Sequence, residues 1–222
     1  MTLPAPRIAI LPALAVILLA GCEHASSGPS GVAETPQDAF FANLASHCGK
    51  AYSGALVSKD AADSDLAGAE MVMHVRDCSA NRIAVPFHIR PAGAGWDRSR
   101  TWVFTRTPGG LRLKHDHRHE DGEPDAVTLY GGDTATPGSA TAQAFPVDEE
   151  SVELFLTEGL DASVTNVWSV EVDPAGTAGG QFAYQLRRTV EGGAPAPRLF
   201  RAEFDFKDEV PPPPAPWGFE GS

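Results

Sequence analysis

LRLKHDHRHEDG, residues 111–122, decides the fold, because its side chains alternate at a strict period of two. Leu111, Leu113, His115, His117 and His119 fall on one face of an extended strand, and Arg112, Lys114, Asp116, Arg118 and Glu120 on the other. The leucines mark the first face as interior, so the three histidines point into the protein or toward the mouth of what it encloses. Just upstream stands DRSRTWVFTRTPGG, residues 97–110, whose TPGG reads as a tight hairpin turn. A two- or four-residue loop puts Arg98, Arg100, Trp102, Phe104 and Arg106 on the histidine face. A three-residue loop would bring Thr101, Val103 and Thr105 there instead. With the first pairing the hairpin runs from an apolar floor of Leu111, Leu113, Phe104 and Trp102 to a cationic rim where His117 and His119 approach Arg98 and Arg100.

The same alternation recurs outward from this hairpin. EMVMHVRDC places Met71, Met73 and Val75 on one face, RIAVPFHIR places Ile83, Val85, Phe87 and Ile89 on one face, and the short SAN between them suits a hairpin. Further strands are expected at 50–58, 126–130, 167–172, 181–190 and 198–206, about nine in all by the alternation rule. FPVDEESVELFLTEG, residues 145–159, is compatible with a helix through the stripe of Val152, Phe155 and Leu156. A short N-terminal helix is expected where Pro36 precedes Phe40, Phe41, Leu44 and Ala45 at helical spacing. One apolar and one polar face per strand imply an antiparallel sheet with a single buried side, and a sheet of this size commonly closes on itself. The expectation is an all-β, mainly antiparallel fold: one closed or partly closed lipocalin-like β-barrel over residues 36–207.

The N-terminus reads as an export signal. Arg7 precedes an apolar run, Ile8 to Ala20, too short for a comfortable span, that ends in Leu19-Ala20-Gly21-Cys22. That is a lipobox, so residues 1–22 are expected to be a lipoprotein signal peptide and Cys22 the lipid-modified first residue of the mature chain. Acyl chains anchor a protein at about 0.8 kcal/mol per buried CH₂ without a spanning helix. Glu23 follows in place of the Asp of an inner-membrane retention signal, which suggests an outer-membrane anchor facing the periplasm. Residues 23–35 read as a flexible tether, and residues 208–222, VPPPPAPWGFEGS from Val210 on, as a Pro-rich disordered tail. Its Trp217 and Phe219 would suit either packing on the barrel or docking an envelope partner.

Cys48 and Cys78 remain as an even pair in an oxidising compartment and are expected to be disulfide-bonded. Loss of residues 1–22 leaves 16 basic against 29 acidic side chains, a formal charge of −13. With no basic cluster, nucleic acid is excluded as a partner.

Three chemistries compete for the histidine face. Same-face residues two apart lie about 7 Å apart at Cα, so two imidazoles could share a zinc or copper ion, and His115, His117 and His119 are the metal candidates. Alternatively the imidazoles simply close a barrel mouth, satisfied by hydrogen bonds. The third reading is a pocket for a small amphiphilic or anionic ligand, lined by Arg100, Trp102, Phe104, Leu113, His115, His117 and His119. No G-x-S-x-G elbow, phosphate loop, H-E-x-x-H or haem motif is present, so no enzyme and no cofactor are expected. A non-catalytic envelope interaction factor is a further alternative.

The strings FFANL, CGKAYSG, MHVRDC, DRSRTWV, LKHDHRHEDG, YGGDT, FPVD, NVW and RLFRAEFD, spread over residues 39–206, resemble a group of short secreted or lipid-anchored bacterial proteins. That resemblance implies a shared fold and site and carries no activity or ligand. The likeness to lipocalin-like barrels is one of architecture, without a Gly-x-Trp signature at the start of the barrel.

Overall fold

The computed structural model describes residues 1–2, 34–191 and 193–219. The lipobox, Cys22 and most of the tether lie outside the described residues. Eleven strands follow one another from residue 34 on: β1 (Ala51–Leu56), β2 (Glu70–His74), β3 (Asp77–Cys78), β4 (Arg82–Arg90), β5 (Asp97–Thr107), β6 (Gly110–His117), β7 (Tyr130–Asp133), β8 (Ala142–Pro146), β9 (Val167–Val172), β10 (Gln181–Arg188) and β11 (Arg198–Val210). Helix α1 (Pro36–Ala45) precedes them, and α2 (Glu149–Thr157) lies between β8 and β9. Among the described residues no helix is long and apolar enough to cross a membrane.

Sequence neighbours are spatial neighbours. The order β7-β6-β5-β4-β2-β1-β11-β10-β9-β8 is antiparallel throughout, with β3 an extra rung on β4. Pairing of β1 with β11 joins the two ends of the chain's meander and leaves one seam, between β7 and β8. The seam is closed by approach and not by a ladder. Asp148 N–H donates to the Gly131 carbonyl at 3.0 Å, and Gly131 N–H to the buried Ser151 Oγ at 2.8 Å. Both glycines are required there, since a Cβ on Gly131 would lie 1.9 Å from the Leu113 oxygen and one on Gly132 1.7 Å from the Pro146 oxygen. The result is a nearly closed up-and-down barrel, as expected, with two more strands than the alternation counted.

The inward faces form one core: Met71 and Met73 from β2, Ile83, Val85 and Phe87 from β4, Trp102 and Phe104 from β5, Leu111 and Leu113 from β6, Phe145 from β8, Trp168 and Val170 from β9, and Phe182 and Phe204 from β10 and β11. Helix α1 closes the end of the barrel beside the β5–β6 turn. Thr35 and Asp38 form a reciprocal capping box, Pro36 occupies the first turn, and Phe40, Phe41 and Leu44 are buried. Arg106 ion-pairs with Asp38 and lies 4.3 Å over the Phe41 ring, pinning the helix to β5. Cys48, just past α1, is disulfide-bonded to Cys78 in β3.

Several boundaries differ from the sequence expectation. The ambiguous 145–159 stretch divides into the end of β8 and α2, whose N-cap Asp148 accepts from Ser151 N–H at 2.9 Å. The strand expected at 126–130 begins only at Tyr130. Residues 118–129 are an irregular excursion held by Asp125 N–H on the His117 carbonyl and Leu129 N–H on the His115 carbonyl, with Leu129 at φ 54°.

The tail is also more ordered than expected, because its first residues still pair. β11 runs to Val210, opposite Ala51. Pro211–Phe219 then crosses the outer face of the sheet as a strap. Pro211, Pro213 and Pro214 lie with Val72 of β2 along one groove, Arg98 Nη1 donates to the Ala215 carbonyl at 2.5 Å, and Trp217 N–H donates to the Arg98 carbonyl at 3.2 Å. Pro216 and Phe219 reach Ala84 and Pro86 of β4, and the Arg118 guanidinium sits 4.7 Å over the Phe219 ring. This cover explains why β4 is buried on both faces from Ile83 to Ile89. His88, on the outer face between Val72 and the Arg98 bulge, is only 1% exposed.

Candidate functional site

The β5–β6 turn is the two-residue loop Pro108-Gly109, with Thr107 opposite Gly110. That parity sets the histidine face as expected from Arg100 to Phe104, with Phe104 facing Leu113, Trp102 facing His115 and Arg100 facing His117, but the β4–β5 bulge turns Arg98, expected at the rim, to the outer face and brings Asp97 inward in its place. Phe104 and Leu113 are wholly buried in the floor, whereas Arg100, Trp102, His115 and His117 line a cavity of about 230 Å³ at the opposite end from α1. His119 is not in it. Strand β6 ends at His117, and His119 is exposed in a turn, donating its N–H to the Glu123 carbonyl.

The cavity gathers residues that the strand motif alone did not indicate: Tyr130 from β7, Tyr184 from β10, Arg198 from β11, and Asp63 and Leu66 from the 3-10 segment Ala61–Leu66, which caps this end. Tyr184 and Arg198 were discoverable by parity, since they continue the inward sets Phe182, Tyr184, Leu186 and Arg198, Phe200, Ala202, Phe204. Asp63 carries no such signal, because it sits in a turn outside any periodic segment.

His115 is a framework residue. Its Nδ1 lies 3.1 Å from the Tyr130 carbonyl and its Nε2 2.7 Å from the Tyr184 hydroxyl. A carbonyl can only accept, so Nδ1–H donates to it, and Nε2 accepts from Tyr184 O–H. The Trp102 indole stacks on the Tyr184 ring at 4.5 Å. The chain of donors thus runs Tyr184 to His115 to the β7 backbone. Burial, with His117 beside it, pushes the His115 pKa down to about 3, and burial raises that of Tyr184. The imidazole is neutral at neutral pH, with both nitrogens engaged.

His117 is the ring nearer solvent. Its Nε2 lies 3.2 Å from the Tyr130 hydroxyl, and burial followed by the Arg100 charge lowers its pKa to about 4. Burial drives Tyr130 up to about 12, so its hydroxyl is protonated and available as a donor. Two ion pairs complete the rim: Arg100 with Asp97, both partly exposed, and Arg198 with the buried Asp63. Burial would raise the Asp97 carboxyl, but Arg100 and Ser99 outweigh it and hold it below the usual carboxylate range.

This arrangement bears on the metal expectation. His115 has no free nitrogen, His119 has left the strand, and among the described residues no three His, Cys, Asp or Glu side chains converge on one point. Zinc or copper binding through His115, His117 and His119 together therefore lacks the geometry it needs in this conformation. What the mouth offers is one apolar wall of Phe87, Ile89, Leu186 and Phe200 facing hydroxyl, guanidinium and carboxylate groups.

No family model matches the chain, and no curated protein matches its sequence.

Proposed function

We propose that the protein is a non-enzymatic, lipid-anchored barrel of the cell envelope that binds a small amphiphilic ligand in the mouth between Arg100, His117, Tyr130 and Arg198. The single observation that carries this reading is the cavity: five strands and a capping turn deliver polar side chains to one recess above an otherwise packed interior. At about 230 Å³ it falls below the range of about 300–1,000 Å³ usual for drug-sized ligands. Below the mouth, Trp102, Phe104 and Leu113 fill the barrel axis, so the recess suits a compact molecule and has no channel for an acyl chain. The lipobox ending at Cys22, together with Glu23, supports anchoring at the outer membrane, facing the periplasm.

Native mass spectrometry of the chain from Glu23 onward, exported to and purified from the periplasm, tests the reading. The expected spectrum holds a small organic mass that Arg100→Gln weakens or removes. Apoprotein alone, or a retained metal ion, would overturn it.

A further inference from the structure

The mouth is close to electroneutral, and its unused hydrogen-bonding atoms come in both signs. Arg100 is balanced by Asp97 and Arg198 by Asp63, while His115 and His117 are neutral imidazoles. Asp63 is the unusual member. Its carboxylate is 3% exposed, its Oδ2 has no hydrogen-bond partner, and Arg198 Nε opposite is likewise unpartnered. A buried carboxylate oxygen left unsatisfied is costly, and what relieves it is a donor brought by something else.

We propose that the mouth takes a compact zwitterion of the α-amino-acid class, its ammonium on Asp63, its carboxylate on Arg100 and Arg198, and an apolar side chain on Phe87, Ile89 and Phe200. The inference rests on the mouth being a binding site and goes further by naming the ligand's chemistry. A ligand that is only an anion would meet the arginines but place its charge beside Asp63, leaving Oδ2 without a donor. One that is only a cation would satisfy Asp63 and face two guanidinium groups. A zwitterion answers both while adding no net charge to a half-buried site. Sugars also carry donors and acceptors, but they call for an open aromatic face. Trp102 is 2% exposed and already stacks on Phe87 at 4.6 Å and on Tyr184 at 4.5 Å.

Calorimetric titration of the chain from Glu23 onward with three probes decides the matter: L-leucine, 4-methylpentanoate, which lacks the amine, and 3-methylbutylamine, which lacks the carboxylate. Leucine is expected to bind about tenfold or more tightly than either, since each analogue leaves a desolvated charge unpaired. Asp63→Asn should abolish the preference for leucine over 4-methylpentanoate. Arg100→Gln, at a more exposed position, should reduce the preference for leucine over the amine even if the Asp63 variant fails to fold. Equal or tighter binding of 4-methylpentanoate, or no binding of leucine, overturns the inference. An organic mass retained in native spectra alongside failure of leucine would remove the zwitterion and leave the binding mouth standing.

Discussion

His88 offers a sharp test of how the strap and the sheet fit together. It is buried on the outer face of β4, neither ring nitrogen has a partner, and its pKa falls to about 4 through burial first and then the charges of Arg98, His74 and Arg76, with Asp97 opposing. In the unfolded chain the same imidazole titrates near 6.5. Between those values the unfolded state binds a proton that the folded state refuses, so stability is present above about pH 6.5 and is lost as the pH falls toward 4. From pH 7.5 to 5.0 the loss from this one group is about 2 kcal/mol. His88→Leu replaces the ring with an apolar group of comparable size under the same strap. Urea unfolding of the chain from Glu23 onward, at both pH values, should show His88→Leu at least as stable as the parent at pH 7.5, because two unpartnered polar atoms are gone. Its loss on acidification should be smaller than the parent's by about 2 kcal/mol. An unchanged pH dependence, or a variant markedly destabilised at pH 7.5, would refute the reasoning, since either means the imidazole has a partner or is open to water.

Other consequences are as specific. Tyr184→Phe strands the buried His115 Nε2 acceptor, and should cost about 1–3 kcal/mol in urea unfolding with little change of fold by circular dichroism. Gly132→Ala forces a Cβ to within 1.7 Å of the Pro146 oxygen, so the seam must open; a loss of about 2 kcal/mol or more is expected, with faster amide exchange in β7 and β8 than in β1 and β11. Paired alanines at Cys48 and Cys78 should lower stability by roughly 3–4 kcal/mol, since they release a loop of 30 residues in the unfolded chain. Equimolar zinc should leave Tm unchanged, and His119→Ala should not alter ligand retention; a zinc-dependent rise in Tm that His117→Ala abolishes would restore the metal reading.

The fold was largely legible because a half-buried antiparallel sheet imposes period two on its strands, which residues 111–115 obey in burial, while Asp116 is buried on the outer face and β4 on both. The hairpin parity was legible too, since Pro108-Gly109 admits few loop lengths, and it placed Arg100 and His117 at the mouth; Trp102, read as floor, reaches the cavity, and Arg98, read as rim, is turned outward by a bulge that no alternation signals. What the period could not convey is where a strand stops. His119 keeps the alternation, yet the chain turns at Arg118, whose guanidinium is drawn to Asp116 and the Gly122 carbonyl. Strand β8, AQAFP, was missed because five residues give too short a pattern, and β7 was placed too early because its defining residues are glycines, chosen for close approach and not for burial. Asp63 and the strap are tertiary facts: one is a turn residue folded over the barrel end, the other a proline run that binds through carbonyls and ring faces, having few donors of its own.

The most direct measurement is a crystal structure of the chain from Glu23 onward, as purified from the periplasm without added ligand. The account predicts density for a compact non-water molecule in the mouth, within hydrogen-bond distance of Arg100 and Asp63. A mouth holding ordered water alone, or a molecule seated instead in the outer groove beside Trp96 and Pro213, would contradict it.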